Sequence, residues 1–294
     1  MPRNGQDCSD WSARRVAVGA TTVLLISRGT MTGGRMIGEC LAKHEGFRCV
    51  TREDLLAVVN RYGDLATRIA VQIANATEAY EEFSELRRPF LILMRRALLD
   101  CACEGPLAYF GYSGHLLLER LPQFVRIRLI APTELRIART RELLGYSEVE
   151  AREYIRRVDR ERAQWARMTY GVDIRDPSLY DLCLNIERLS IPGACDLLRK
   201  TMQQVDFQPT PQSIERAGNY YLATQALALL AIDPRTVRLE LGADVSDGIL
   251  RLVGPYLPDA DLSLVRSIAA SVPGIVGIEY EAGYTPAFRY ASGK

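Results

Sequence analysis

The segment Ser27-Arg28-Gly29-Thr30-Met31-Thr32-Gly33-Gly34-Arg35-Met36 follows an apolar strand pattern and leads into a helix pattern. Its glycines let successive backbone N–H groups converge on one point, and the helix adds its positive N-terminal end, as is typical of a phosphate-binding loop. When the motif G-x-x-x-x-G-K-[ST] is read from Gly29 to Gly34, Arg35 takes the lysine position and Met36 takes the position of the Mg²⁺-binding hydroxyl. The segment therefore predicts a phosphate cradle with an altered cation and metal anchor.

An ordinary strand-to-helix turn is the alternative interpretation, since glycine-rich turns join many strands and helices in α/β proteins. The flanking residues Arg28 and Arg35 favour phosphate binding, because guanidinium groups make bidentate contacts with oxyanions.

Two consecutive helices form the most basic region of the chain. The first is predicted over Thr133–Leu144 and ends at Gly145, and the second runs from the capping box of Ser147 and Glu150 to about Tyr170. Their arginines are Arg136, Arg139, Arg141, Arg152, Arg156, Arg157, Arg160, Arg162 and Arg167. For a single arginine a solvated helix surface is the simpler interpretation, because acidic residues are interleaved. As a group downstream of a phosphate loop, the arginines predict a lid that closes over anions.

The composition limits the classes of function. A chain of 294 residues that is 48% hydrophobic and 25% charged can bury one sizeable core and a second small domain. With 37 Lys and Arg against 36 Asp and Glu there is no global attraction to nucleic acid or membranes, so we predict no nucleic-acid partner and a local anion site. Seven cysteines without a CxxC pair, beside only two histidines, lack zinc-ligand spacing and predict reduced, mostly buried thiols of a cytoplasmic protein.

The apolar run Val16–Ile26 is interpreted as the first strand of the core. It has no Ala-x-Ala cleavage site and is shorter than the roughly 20 residues that cross a bilayer, so neither a signal peptide nor a transmembrane segment is predicted.

The elements after the loop alternate between strands and helices. A helix over Gly38–Glu45 is followed by a short strand over Gly46–Val50, and Thr51 is a candidate N-cap for a helical region that extends from Glu53 to Cys103. Further strands are predicted at Leu107–Gly111 and Phe124–Ala131. This alternation predicts a parallel sheet whose faces are covered by helices.

The last third of the chain has a different pattern. Val205–Ser213 has the composition of a linker, and the following residues predict a helix, a strand at Thr236–Leu241, an Asp247-Gly248 turn and a strand at Ile249–Val253. A helix at Leu262–Ala270 and a strand at Ile275–Tyr280 complete an αββαβ order.

Four stretches carry a resemblance to a known family. They are Ile26–Gly29 with Gly33–Arg35, Phe47–Glu53, Gly111–Leu118, and Tyr170–Asp173 with Asp176–Leu182. Through them, the chain from about Thr22 to Lys200 resembles the cytidylate kinase-like family of P-loop nucleoside monophosphate kinases. The resemblance implies a three-layer α/β fold in which the loop holds ATP with Mg²⁺, a helical insertion holds the acceptor monophosphate, and a lid brings arginines over the transferring group.

The resemblance also implies roles for individual residues. Those expected to hold the donor nucleotide are Ser27, Arg28, Gly29, Thr30, Met31, Thr32, Gly33, Gly34, Arg35 and Met36, with Thr30 and Thr32 as the Mg²⁺ candidates. Those expected in catalysis are Arg35, Arg136, Arg139, Arg157, Asp159 and Arg162, with Asp159 orienting an arginine. Those expected to hold the acceptor are Arg48, Arg52, Gly111, Tyr112, Ser113, His115 and Asp181.

Three of these acceptor residues have alternative interpretations. Tyr112 stands where such kinases carry an arginine, which His115 could replace as a donor or titrating group. His115 could equally be hydrogen-bonded at a helix start, and Asp181 could orient an arginine, bind a base or only cap a turn.

The predicted organisation is an N-terminal tail over residues 1–15, a kinase-like domain over 16–203, a linker over 204–217, a further domain over 218–283 and a tail over 284–294. Residues 218–283 resemble a BON domain, a small binding module, which implies a protein or phospholipid partner; a structural cap or dimerisation domain is the alternative. Two functions remain open. One is a nucleoside monophosphate kinase acting most simply on CMP or dCMP, and the other is a catalytically weak nucleotide sensor coupled to the BON-like module.

Overall fold

The computed structural model describes residues 11–75, 84–111 and 113–283. The strands are β1 Val23–Arg28, β2 Arg48–Thr51, β3 Leu107–Phe110, β4 Phe124–Ile130, β5 Leu182–Asn185, β6 Gly242–Ser246, β7 Ile249–Gly254 and β8 Gly277–Ala282. The α-helices are α1 Trp11–Ala20, α2 Gly34–Glu45, α3 Arg52–Val59, α4 Asp64–Asn75, α5 Ser84–Ala102, α6 Gly114–Leu117, α7 Thr133–Leu144, α8 Glu148–Tyr170, α9 Ile191–Met202, α10 Pro211–Ala231 and α11 Asp259–Ala269. Short 3₁₀ turns lie at Asn60–Tyr62, Pro177–Leu179 and Val205–Phe207.

The described residues divide into two compact units. The loop-bearing unit comprises those within 22–54 and 106–208, and the α10 unit comprises those within 11–21, 55–105 and 209–283.

The loop-bearing unit is built on a five-stranded sheet in the order β2-β3-β1-β4-β5, in which every neighbouring pair is parallel. β1 and β3 are almost continuously buried apolar runs, as is typical of strands covered on both faces, and β4 is buried over most of its length although it carries two arginines. Helices α2 and α9 supply Ile37, Leu41, Ala194 and Leu198 to the core that packs on this sheet. The predicted class, a parallel α/β sheet with flanking helices and a small second sheet, is confirmed.

Local signals set the helices that flank the candidate site. Ser147 and Glu150 form the predicted capping box at the start of α8, and Gly145 and Gly171 end α7 and α8 in the left-handed region at φ 71°. At the start of α3, the Thr51 hydroxyl accepts a hydrogen bond from the Asp54 N–H at 3.2 Å, as the predicted N-cap requires.

Two strand predictions are wrong in position. The run Val16–Ile26 is divided between α1 and β1, because the Thr21 hydroxyl donates to the Ala17 carbonyl at 2.7 Å and so satisfies the last turn of a helix. Thr236–Leu241 forms successive turns instead of a strand. Asp233 accepts the Arg235 N–H, and the Thr236 hydroxyl donates to the Leu230 carbonyl, so side chains replace ladder bonds there.

The α10 unit packs around one long helix. α10 is buried on most sides and contacts α1, α5, α11 and β6. From α10 onward the order is αββαβ, with β6 and β7 antiparallel and β8 added parallel to β7. The predicted turn joins β6 to β7, with both Asp247 and Gly248 at positive φ. Residues 204–217, predicted as a linker, include the 3₁₀ turn Val205–Phe207 and the first turns of α10.

The six cysteines of the described residues are free thiols, and fewer of them are buried than expected. Cys101 and Cys195 are buried, Cys40 and Cys103 are half-buried, and Cys49 and Cys183 are exposed.

Candidate active site

The glycine loop joins the end of β1 to the start of α2. Gly33 has φ 93°, which favours glycine, and it is the N-cap residue of α2. Gly33 has no side chain that could cap this helix, so the first N–H groups of the helix and its positive dipole end face the loop. Met31 also adopts a positive φ of 61°. This is the geometry of an anion-binding turn.

Arginines from α7 and α8 converge on the loop backbone. The Arg136 Nε donates to the Thr30 carbonyl at 2.6 Å, and the Arg139 guanidinium donates to the Met31 carbonyl at 3.4 Å. From α8, the Arg162 guanidinium donates to the Arg28 carbonyl at 3.2 Å. Three of the predicted lid arginines therefore lie directly on the loop.

Asp159 connects the loop to one of these arginines. One oxygen of its carboxylate accepts the Thr30 N–H at 2.9 Å, and the other accepts a bond from Arg136 at 2.5 Å. The carboxylate thus holds an arginine in place and shows that a loop N–H donates a hydrogen bond to an anionic oxygen. The predicted orienting role of Asp159 is consistent with these contacts.

Other predicted residues lie away from the loop. The Arg35 side chain is 91% exposed and pairs with Glu39 at 2.9 Å, one turn along α2. Met36 is exposed. Arg157 is exposed on α8 and bonds Glu161 at 3.3 Å, also one turn along its own helix.

A pocket opens beside the loop at the carboxyl ends of the central strands. It is lined by Ser27, Arg28, Arg52, Glu53, Phe110, Gly111, Ser113, Arg162 and Ile174. Three arginines make it suited to anionic ligands. Glu53 adds a carboxylate that makes no hydrogen bond or ion pair within the described part of the chain.

The remaining acceptor candidates have different surroundings. Arg48 is exposed on β2 and is not among the residues lining this pocket. Asp181 accepts the Arg126 backbone N–H at 2.8 Å and pairs with the Arg126 guanidinium, so it orients an arginine of β4. Tyr112 lies outside the described residues.

Behind the pocket wall, His115 packs on Tyr180 with the ring centroids 4.5 Å apart. The Tyr180 hydroxyl bonds Ser27 Oγ at 3.2 Å and donates to the Ile174 carbonyl at 2.8 Å, and Arg128 lies beside both hydroxyls. His115 is 1% exposed, and neither ring nitrogen has a hydrogen-bond partner within the described residues. It supports the wall of the pocket instead of lining it.

A family model described as the cytidylate kinase-like family matches residues 23–188, from the first residue of β1 to beyond β5. This match covers more than half of the chain. The chain belongs to the cytidylate kinase-like family.

Two curated relatives match parts of the chain. A cytidylate kinase from Pyrococcus horikoshii is 24% identical over 187 residues, which cover 63% of this chain and 90% of the relative. A cytidylate kinase from Methanopyrus kandleri is 37% identical over 102 residues, which are 34% of this chain and 53% of the relative.

Two solved structures are more distant. An uncharacterized protein from Eubacterium ventriosum aligns with TM-score 0.47 and 18% identity, covering 63% of this chain and 99% of that one. A shikimate kinase from Bacteroides thetaiotaomicron aligns with TM-score 0.36 and 14% identity, covering 62% and 99%.

Membership of this family places the chain among kinase-like nucleotide-binding proteins and supports a phosphotransferase class. Within the described residues, no helix is long and apolar enough to cross a membrane.

The family implies ATP with Mg²⁺, and the loop offers a partial fit for the metal. The buried Thr30 hydroxyl has no hydrogen-bond partner within the described residues, whereas the Thr32 hydroxyl donates to the Gly29 carbonyl at 3.0 Å. Mg²⁺ keeps several waters and needs only one or two protein ligands beside substrate phosphates. Of the two predicted metal ligands, Thr30 is therefore the one that fits, and nucleotide phosphates would provide most of the remaining contacts.

Two features that sequence analysis missed were detectable in the sequence. Arg126 and Arg128 lie in a strand of otherwise apolar residues, and buried arginines are rare unless they are paired. Glu53 follows Arg52 in the first turn of α3, where the positive end of the helix dipole favours a carboxylate. This turn comes directly after β2 and so lies at the edge of the sheet. By contrast, nothing in the sequence indicates that His115 is buried behind the pocket and does not line it.

We expect His115 to make stability depend on pH. Burial, with the charges of Arg128 and Arg126, lowers the pKa of His115 to about 3 in the folded protein, against about 6.5 in the unfolded chain. Between these values the unfolded state binds the extra proton, so this contribution to the free energy of unfolding is complete above pH 6.5 and falls as the pH falls. The loss approaches about 1.4 kcal/mol per pH unit.

Urea titrations of the wild type and His115→Phe between pH 7 and pH 5 measure this contribution. The wild type should lose about 2 kcal/mol more than the variant over that interval. His44→Gln, at an exposed histidine, is the control and should follow the wild type. Parallel pH curves for His115→Phe and the wild type would contradict the assignment.

Proposed function

We propose that the chain is an ATP-dependent nucleoside monophosphate kinase that transfers the γ-phosphoryl group of ATP to a nucleoside monophosphate, most simply CMP or dCMP. The observation that supports this most strongly is the convergence of Arg136, Arg139 and Arg162 on the glycine loop, with Asp159 bridging the loop N–H and Arg136. A strand-to-helix turn without a ligand role does not need three guanidinium groups on its carbonyls.

The chemistry follows from positioning and charge. Phosphoryl transfer spreads negative charge over the equatorial oxygens, so fixed cations and N–H donors stabilise the transition state. In the proposed reaction the loop N–H groups and the α2 N-terminus hold the donor phosphates, and the lid arginines neutralise the transferring group. Asp159 keeps Arg136 oriented. Bound Mg²⁺, held through Thr30 and the phosphates, would supply further charge neutralisation.

The pocket lined by Arg52, Glu53 and Phe110 is the proposed acceptor site. Arg52 is suited to a monophosphate, and an aromatic ring is suited to contact with a base. The ionised Glu53 carboxylate only accepts hydrogen bonds, so it can pair with the exocyclic amine of cytosine. Uracil presents a carbonyl where cytosine carries that amine, and two acceptors cannot pair. This chemistry supports an amine-bearing base as the acceptor.

We expect Glu53→Gln to reduce discrimination between CMP and UMP. The amide can donate to a carbonyl as well as accept from an amine, so the ratio of kcat/KM for CMP over UMP should fall by roughly tenfold, which corresponds to about 1.4 kcal/mol. Steady-state assays with both acceptors at saturating ATP give the ratio. An unchanged ratio would remove Glu53 from base recognition.

The proposed function is tested by incubating the full chain with ATP, Mg²⁺ and each of the ribo- and deoxyribonucleoside monophosphates while ADP formation is followed. ATP affinity is measured on the same sample by calorimetry. Turnover with CMP or dCMP supports the proposal, and turnover with another monophosphate corrects the substrate. ATP binding without turnover on any acceptor would favour the sensor, and absence of ATP binding would reject both.

We further propose that residues 218–283 are a BON-like module for a protein or phospholipid partner, supported by their αββαβ order. Co-sedimentation with vesicles of anionic phosphatidylglycerol, against vesicles of neutral phosphatidylcholine, tests the phospholipid arm. If the chain sediments with neither kind of vesicle, a protein partner remains. Analytical ultracentrifugation then tests whether that partner is a second copy of the chain.

A further inference from the structure

We propose that Arg28 supplies the cation that phosphate-binding loops of this motif usually carry as the lysine after the last glycine. The inference rests on the proposed function, since it assigns a residue to the donor phosphates. It assigns to Arg28 the role that the sequence motif alone gives to Arg35.

The direction of the Arg35 side chain is the first argument. Arg35 is almost fully exposed and bonds Glu39 on the outer surface of α2, and Met36 beside it is exposed. A lysine of the motif must fold over the loop to reach the β- and γ-phosphates. Reading the motif from Gly29 to Gly34 therefore puts its cation and hydroxyl positions on side chains that lie away from the loop.

The backbone supports a reading that begins one residue earlier, at Arg28. Gly33 is then the last glycine of the motif, and it has the positive φ and the N-cap position at the start of α2. Gly34 then takes the lysine position, as the first residue of the helix. Because residue 34 is a glycine, no side chain extends from the lysine position.

The space beside Gly34 is filled by Arg28. A Cβ added to Gly34 would overlap the Arg28 Cδ and lie 3.1 Å from its Nε, with the ring of Phe110 next to it at 3.6 Å. A side chain starting at Gly34 and the side chain of Arg28 thus compete for the same volume. A lysine at position 34, as in the motif, and the arginine at position 28 are therefore alternative ways to place one cation beside the loop.

The position of Arg28 in the site is the last argument. Its side chain lines the pocket together with Arg52 and Arg162, and its carbonyl accepts from Arg162 at 3.2 Å. A planar guanidinium at the end of β1 can contact two phosphate oxygens at once, whereas a lysine ammonium acts as a point charge. We therefore expect Arg28 to contact the donor phosphates at the junction with the acceptor pocket.

The first test compares ATP affinities by calorimetry for the wild type, Arg28→Ala, Arg35→Ala and Lys43→Ala. Lys43 is an exposed cation on α2 and serves as the control. Arg28→Ala should weaken ATP binding at least tenfold, and Lys43→Ala should change it less than twofold. A larger loss for Arg35→Ala than for Arg28→Ala overturns the inference. Absence of ATP binding by the wild type would instead reject the proposed function.

The second test exchanges the two cations. The φ of Gly34 is not positive, so the backbone accepts a lysine, but Gly34→Lys alone collides with Arg28. The double variant Arg28→Ala/Gly34→Lys removes the collision and should recover ATP affinity to within about threefold of the wild type. Circular dichroism verifies that each variant is folded. A folded double variant that binds ATP no better than Arg28→Ala overturns the inference.

Discussion

Arg136→Ala is expected to lower kcat/KM for the proposed phosphoryl transfer by roughly 10²- to 10³-fold. Arg136 is the lid residue with the shortest contact to the loop, because its Nε lies 2.6 Å from the Thr30 carbonyl. Its other end is fixed by Asp159, and its side chain is only 12% exposed, so the cation is partly desolvated and held in one place. A fixed cation of this kind stabilises developing phosphoryl charge without reorganising.

Two further variants separate charge from geometry at this position. Arg136→Lys keeps the charge but cannot contact Thr30 and Asp159 through a planar fork, so we expect an intermediate loss. Asp159→Asn keeps an oxygen for the Thr30 N–H but weakens the hold on Arg136, and its loss should be smaller than that of Arg136→Ala. Arg188→Ala, at an exposed arginine, is the control.

Steady-state kinetics with saturating ATP, together with ATP affinity, measure these effects. The loss for Arg136→Ala should appear mainly in kcat, because the charge develops in the transition state. Wild-type kcat for a folded Arg136→Ala variant would contradict the lid assignment.

Asp100→Ala is expected to destabilise the α10 unit by about 3–5 kcal/mol. The Asp100 carboxylate, on α5, accepts hydrogen bonds from the Tyr62 hydroxyl at 2.6 Å, the Tyr221 hydroxyl at 2.9 Å and the Gln225 amide at 3.0 Å. These partners come from the 3₁₀ turn before α4 and from α10. One carboxylate, 15% exposed, thus joins three elements that are distant in sequence.

Two cations also face this carboxylate, with Arg96 at 3.6 Å and Arg14 of α1 at 3.9 Å. Burial, and then the neighbouring Asp100 charge, raises the pKa of Tyr62 and of Tyr221 well above the usual range, so both hydroxyls stay neutral donors. Removing the carboxylate leaves the buried Tyr221 hydroxyl and the half-buried Tyr62 hydroxyl without their shared acceptor, and a donor left unsatisfied at such a site carries its desolvation penalty.

Denaturant unfolding followed by fluorescence and circular dichroism measures the change. Asp244→Ala is the matched control in the same unit, because its ion pair with Arg216 is exposed and should contribute no more than about 1 kcal/mol. Equal midpoints for the two variants would show that Asp100 does not hold the unit together.

Local structure was predictable where neighbouring residues satisfy the backbone. The capping box of α8, the glycine ends of α7 and α8, the Thr51 cap and the Asp247-Gly248 turn all depend on residues within a few positions of one another. The buried strands β1 and β3 were recognisable because a parallel strand covered on both faces is a nearly continuous apolar run, and β4 was recognisable from its five apolar residues. The strand predicted at Thr236–Leu241 failed because Asp233 and Thr236 bond the local backbone, which an apolar pattern does not reveal.

The spacing of residues along α7 and α8 indicates which of the lid residues face the loop, which a list of arginines does not. Asp159 and Arg162 are three residues apart and share a face of α8, whereas Arg157 lies two residues before Asp159 and faces away. Arg136 and Arg139 are likewise three apart, and both reach the loop. The exclusion of Arg157 could therefore have been made from the sequence.

By itself, the sequence determined the family, the order of the elements, the glycine loop and which arginines share a helix face, because these depend on residue type and local spacing. Only the tertiary structure decided that Arg28 occupies the space beside Gly34, that Arg35 pairs outward with Glu39, and that His115 is buried against Tyr180. The reason is that a long side chain takes its direction from the elements packed around its helix or strand. Those elements are assembled from distant parts of the chain.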